Sequence, residues 1–177
     1  PNLRVQNSDL KIELLSLNNT EQIKLLKKGD LDVTFTRQNL NSDEIESLFV
    51  LREPLIFILP ENHPLAKYER IPVKALHGVD FIIPAAEQSL TLHNTILEFA
   101  KTHGIEFNIV QKADNILFNI NSIGMGLGCT ILPGYVAPLT MKNTVIRALD
   151  VELPYLDLYV SYHKNSSSSA VHKFVEL

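Results

Sequence analysis

The run Gly124-Met125-Gly126-Leu127-Gly128-Cys129-Thr130-Ile131-Leu132-Pro133-Gly134 constrains the fold of this chain more than any other stretch. Its first three glycines, at every second position, follow a helix-like run from Asn115 to Ile123 and lead into a short apolar strand. A dinucleotide fingerprint runs in the other order, strand, glycines, helix, so that the helix N-terminus faces the phosphates. No nucleotide cofactor is therefore expected. The glycines suit release of the chain from a helix end, through left-handed backbone geometry, and a close approach to neighbouring elements. The strand Thr130 to Pro133 is then placed to reach the rim of an α/β sheet, where ligands of open sheets bind.

The rest of the chain alternates in the same way. Leu10 to Leu17 reads as a strand, and Asn18-Asn19-Thr20 offers N-cap side chains for a helix that carries Lys27 and Lys28 in its last turn and stops at Gly29. Asp32 to Thr36 is the next strand, completing a strand-helix-strand unit of the kind that builds parallel sheets. Ile45 to Glu53 and Pro54 to Leu59 read as two extended segments, ended by the turn signal Asn62-His63-Pro64. A short helix near Val73 to Leu76 precedes a buried-type strand, Val79 to Ile83. Ser89-Leu90-Thr91 caps a long helix whose apolar residues Leu92, Ile96, Leu97, Phe99 and Ala100 recur at helical spacing until Gly104. Phe107 to Ala113 and Leu156 to Tyr162 are further strands, with a last helix from Ala170 to Leu177.

A chain of 177 residues is long enough for one sizeable core or for two small lobes. With 45% hydrophobic and 20% charged residues and a net charge of −4, it reads as a soluble globular protein whose body is not a nucleic-acid surface. Its single cysteine, Cys129, excludes an internal disulfide and fits a reducing compartment. No apolar run is long enough for a membrane span and no secretory signal opens the chain, so a cytoplasmic protein is expected. The start at Pro1, without a methionine, reads as a fragment.

Chemistry points to binding rather than turnover. Helix starts at Asn19-Thr20 and at Ser89 to Thr91 follow strands, so in a parallel sheet both face one rim with unpaired N–H groups and small hydroxyl or amide side chains, a receptor for a carboxylate. Every helix needs caps, so each pair alone also reads as simple capping. Thr36 and Arg37, at the end of a neighbouring strand, add a hydroxyl and a guanidinium suited to an anion, although Arg37 also reads as an ordinary surface arginine. No nucleophile elbow, P-loop, Cys-x-x-Cys pair or kinase signature occurs, and the six histidines show no metal spacing. No catalytic residue and no metal ligand is assigned.

Five stretches occur in an order that resembles the LysR-type transcriptional regulators. They are Leu26-Lys27-Lys28-Gly29-Asp30-Leu31-Asp32-Val33, Glu53-Pro54-Leu55, His63-Pro64-Leu65-Ala66, the glycine run from Gly124 to Gly128, and Ile131-Leu132-Pro133. Asn115-Ile116-Leu117 and Pro133-Gly134-Tyr135 are similar to regulators of aromatic-acid catabolism, those answering to phenylpropionate or cinnamate. The resemblance implies an effector-binding α/β domain of the type 2 periplasmic-binding-protein fold, two lobes with a ligand cleft between them. Lobe one would take residues 1–53 and 157–177 but lack its first strand, and lobe two residues 54–156. The family's ligand residues map onto Asn19, Thr20, Thr36, Arg37, Ser89, Leu90, Thr91, Thr130, Ile131 and Leu132. Partners implied for the intact protein are a small carboxylate effector, a second copy in a homodimer or homotetramer, RNA polymerase, and DNA through an N-terminal winged helix-turn-helix that these residues do not include. A solute-binding receptor of the same fold, or an enzyme on that scaffold, are the alternatives.

Overall fold

The computed structural model describes residues 11–175. The chain divides into two compact units, one taking the chain through Leu51 together with Leu158 onward, the other Arg52–Asp157.

In the first unit, helix α1 (Asn19–Lys28) opens with a capping box. The Asn18 side chain accepts from the Glu21 N–H at 2.9 Å, and the Glu21 carboxylate accepts from the Asn18 N–H at 3.3 Å. The helix ends at Gly29, whose φ of +77° is the left-handed C-cap conformation. Strand β1 (Val33–Thr36) follows and pairs antiparallel with β8 (Tyr155–His163), Val33 opposite Tyr162 and Thr36 opposite Tyr159. Helix α4 (Ser169–Val175) buries Val171 and sets Phe174 edge-on to Phe35, ring centres 6.1 Å apart. Positions 176 and 177, expected to continue it, lie outside the described residues.

The strand-helix-strand expectation fails here in one part. Residues 11–17 have no regular structure, Leu14 is 89% exposed, and Leu10 lies outside the described residues. Strand propensity shows that a segment suits a pleated, half-buried surface; it does not supply the edge to pair with. Among the described residues the neighbour of β1 is β8, running antiparallel rather than parallel.

The two extended segments expected at Ile45–Glu53 and Pro54–Leu59 are one strand, β2 (Ile45–Pro60). Its first residues belong to the first unit, where the Ser47 and Ser161 hydroxyls meet at 2.6 Å. Its last six form the floor of the second unit, pairing antiparallel with both β6 (Thr130–Pro133) and β7 (Thr144–Leu149). The short β3 (Arg70–Ile71) adds to β7 in parallel. Strand β7 was not anticipated because Arg147 interrupts its apolar run. The guanidinium is partly buried and donates to the carbonyls of Ala66 and Ile146, each at 3.0 Å.

Beside this floor lies the parallel pair β4 (Asp80–Pro84) and β5 (Asn108–Ala113), linked by helix α2 (Leu90–Thr102). Helix α3 (Ile116–Gly124) returns from β5 to β6, whose approach runs along the other edge of β4. There Cys129 N–H donates to the Asp80 carbonyl and Ile82 N–H to the Cys129 carbonyl, both at 2.8 Å. The glycines divide the work of this return. Gly126 takes the left-handed turn, φ +80°. Gly128 has no such need, but a Cβ there would lie 2.7 Å from the Asp80 carbonyl oxygen; Gly124 faces only the Met141 side chain and the Asn143 amide. Gly128→Ala should therefore destabilise the protein by about 1–3 kcal/mol through forced backbone separation. Gly124→Ala, where a flexible thioether can yield, should cost much less; denaturant unfolding of the two variants checks the contrast.

Candidate functional site

Two crossovers run through the second unit, β4-α2-β5 and β5-α3-β6, and connections of this kind between parallel strands are right-handed. The first steps outward from β4 to the β5 edge; the second steps back past β4. Helices α2 and α3 must then cover opposite faces of the β4–β5 pair. The burial agrees: Phe81, Ile82 and Ile83 are at most 1% exposed, although successive residues face opposite sides. At the carboxyl ends the two strands are joined, Ala85 N–H to the Ala113 carbonyl at 2.7 Å, and both following helices begin there. This reversal of strand order is where open α/β sheets bind ligands.

What distinguishes the helix starts is whether their polar side chains are already engaged. At α1 the cap is Asn18, closed by its capping box. At α3 the Asn115 side chain accepts from the Phe118 N–H at 2.8 Å. Helix α2 differs. Ser89 occupies the N-cap position without a side-chain capping bond, and the Thr91 hydroxyl oxygen is buried with no hydrogen-bond partner. Between them Leu90 is 48% exposed. His93 fixes this first turn against the sheet, its Nδ1 at 2.8 Å from the Pro84 carbonyl oxygen.

The other expected residues fall as follows. Asn19 and Thr20 are the first two residues of α1, Asn19 partly buried and Thr20 exposed. The Thr36 hydroxyl donates to the Gln38 carbonyl at 2.7 Å, and Arg37 is partly buried beside it. These four belong to the first unit. In the second, the Thr130 hydroxyl donates to the Ile82 carbonyl at 2.7 Å, while Ile131 and Leu132 are in the core at 1% and 0% exposure. Ser89, Leu90 and Thr91 share one helix start. Thr130 to Leu132 run along β6, reached from the opposite edge of β4.

Sequence reasoning missed Asn119. It is 1% exposed on the inner side of α3, and neither amide atom has a hydrogen-bond partner. The signal was present: with Ile116, Ile120 and Ile123 it completes an apolar stripe at helical spacing in which it is the one amide.

Among the described residues no group of three or more His, Cys, Asp or Glu is arranged to hold a metal, and no helix is long and apolar enough to cross a membrane. Burial, with a smaller push from the Asp80 carboxylate, raises the Cys129 thiol from its ordinary 9.0 to about 12.

The protein-family model described as LysR substrate binding domain matches residues 1–177. The chain belongs to this family. It is 34% identical over 177 residues to the Hca operon transcriptional activator HcaR of Escherichia coli (strain K12), covering 100% of this chain and 60% of HcaR. It is 28% identical over 131 residues to the transcriptional regulator CatR of Pseudomonas putida, covering 74% of this chain and 45% of CatR. The LysR domain described here thus spans about half of such relatives. Among solved structures, the BenM effector binding domain with its effector benzoate superposes with a TM-score of 0.82 at 17% identity, covering 98% of this chain and 79% of that one. The CcmR regulatory domain of Synechocystis PCC6803 in complex with 2-PG gives 0.85 at 16% identity, covering 99% and 85%. These likenesses carry the fold: a LysR effector-binding domain of the type 2 periplasmic-binding-protein class.

A thiol held in the core and protonated is a poor nucleophile. Cys129 should resist alkylation by iodoacetamide at pH 8 in the native protein and react once the protein is unfolded, as read by mass spectrometry. Because its folded pKa is the higher one, its contribution to stability is intact below about pH 9 and declines as the pH rises toward 12.

Proposed function

We propose that this domain binds a small carboxylic acid, with aromatic acids the leading class, and that in the intact protein its occupancy governs a LysR-type transcriptional regulator. The start of α2 carries the reading. A 13-residue helix presents unpaired N–H groups there, the Ser89 hydroxyl makes no cap bond, and the buried Thr91 hydroxyl lacks a partner. A carboxylate accepts from all of these, and the exposed Leu90 offers its apolar part a surface. The names of the relatives support the class: HcaR activates the Hca operon, and benzoate is the effector of BenM.

The full set assigned to effector binding is Asn19, Thr20, Thr36, Arg37, Ser89, Leu90, Thr91, Thr130, Ile131 and Leu132. Thr36 and Thr130, whose hydroxyls donate within the protein, serve to fix the backbone of their strands. The effector acts by population shift: it favours whichever state of the domain it binds more tightly, and affinity shared equally by both states changes nothing. In the intact cytoplasmic protein that shift biases subunit pairing and the geometry of the DNA-binding domains, and through them the engagement of RNA polymerase. Binding alone does this work, with no turnover of the acid.

A thermal-shift series with benzoate, cinnamate and phenylpropionate tests the class, since a ligand of the folded state raises its stability. Saturable stabilisation is expected with at least one acid, and a flat series refutes the aromatic assignment. The double variant Ser89→Ala/Thr91→Ala should keep its unliganded melting temperature and bind the acid at least about tenfold more weakly, by calorimetry. Unchanged affinity in that variant refutes the placement of the carboxylate.

A further inference from the structure

Buried amides are ordinarily hydrogen-bonded, because a donor or acceptor cut off from water without a partner is costly. Among the described residues three buried side-chain atoms lack a partner: the Thr91 hydroxyl oxygen, and the Oδ1 and Nδ2 of Asn119. The two residues lie 28 positions apart on different helices, yet both helices start at the joined carboxyl ends of β4 and β5. Thr91 is the second residue of α2, and Asn119 the fourth of α3.

Direction follows from helix geometry. A helical side chain leans toward the N-terminus and covers the turn before its own Cα. The Asn119 amide therefore lies over the first turn of α3, on its buried side, toward the rim. Its neighbours are not competing for it. Ser122 donates to the Phe118 carbonyl at 2.9 Å, and Asn115 is occupied with the Phe118 N–H. The Asp114 carboxylate accepts from the Asn115 amide at 3.0 Å.

We infer that Asn119 is a specificity-determining residue of the effector site, receiving a second polar group of the ligand, a hydroxyl, in addition to the carboxylate held at α2. This rests on the carboxylate reading above. An amide offers one acceptor and two donor hydrogens, and a hydroxyl both donates and accepts, so each satisfies the other. A charged group is a poorer match, since the amide supplies no charge and the surroundings (Ile116, Ile120, Ile123) are apolar. The ligand class is thus a hydroxy-substituted aromatic acid. A site with buried hydrogen-bonding groups rejects the analogue lacking the matching group, which leaves those groups unpaired.

The test compares benzoate with 3-hydroxybenzoate and 4-hydroxybenzoate by calorimetry, on the wild-type protein and on Asn119→Leu and Asn119→Ala. At least one hydroxy acid should bind the wild type about tenfold or more tightly than benzoate. In either variant that folds, the ratio should fall to near one while benzoate affinity stays within about threefold of wild type. A purely structural asparagine would instead change all three affinities together, and that result overturns the inference. So does a wild-type ratio near one, or a ratio that survives both substitutions, with benzoate binding intact and the carboxylate reading untouched. Failure of all three acids to bind the wild type removes both readings at once.

Discussion

Strand β4 is hydrogen-bonded along both edges and covered on both faces. One edge carries β5 in parallel register; the other carries Cys129, exchanging bonds with Asp80 and Ile82. That second edge is available only because Gly128 brings bare backbone to within contact of the Asp80 carbonyl. From this one approach the remaining parts of the second unit take their places. Cys129 leads into β6, β6 lies on β2, and the return through α3 is what puts two helix starts beside the ends of β4 and β5. Packing in such an interior is dense enough that a single added methyl is felt.

Much of this was legible in the chain because the signals are local. The helix-glycine-strand order around Gly126, the capping pattern at Asn18 to Glu21 and the apolar spacing of α2 are each set by neighbouring residues, and each is present in the structure. Strand pairing is another matter. Residues 11–17 have the composition of a strand yet form none, and β7 forms despite Arg147, because a ladder depends on an edge supplied from far away in sequence. The site shows the same division. Sequence pointed to the helix starts at Asn19–Thr20 and Ser89–Thr91, and among the described residues only the second follows a strand of a parallel pair. It could not tell an engaged cap from an unengaged one, since Asn115 and Ser89 look alike until the geometry shows which side chain bonds its own helix. Asn119 was passed over because a residue at an interior stripe position is read as packing.

The polar inventory of the rim thereby separates into two kinds. The hydroxyl of Thr130 donates to a backbone carbonyl and holds its strand in shape. The hydroxyls at Ser89 and Thr91, with the amide of Asn119, make no such internal commitment. Groups without an internal partner have no bond to give up before they meet a ligand, which favours discrimination between close analogues.

Gly128 also limits how such a domain can diversify. Its contact is made by main-chain atoms, so no choice of side chain can improve it, and almost any choice forces the strands apart. The floor of the rim is accordingly closed to variation, whereas Ser89 and Leu90 sit partly or largely exposed at a helix start, where side chains can change without disturbing the sheet. A lineage built on this framework would explore new chemical signals by editing a few helix-borne positions, and would keep the glycine as the condition for having a framework to edit.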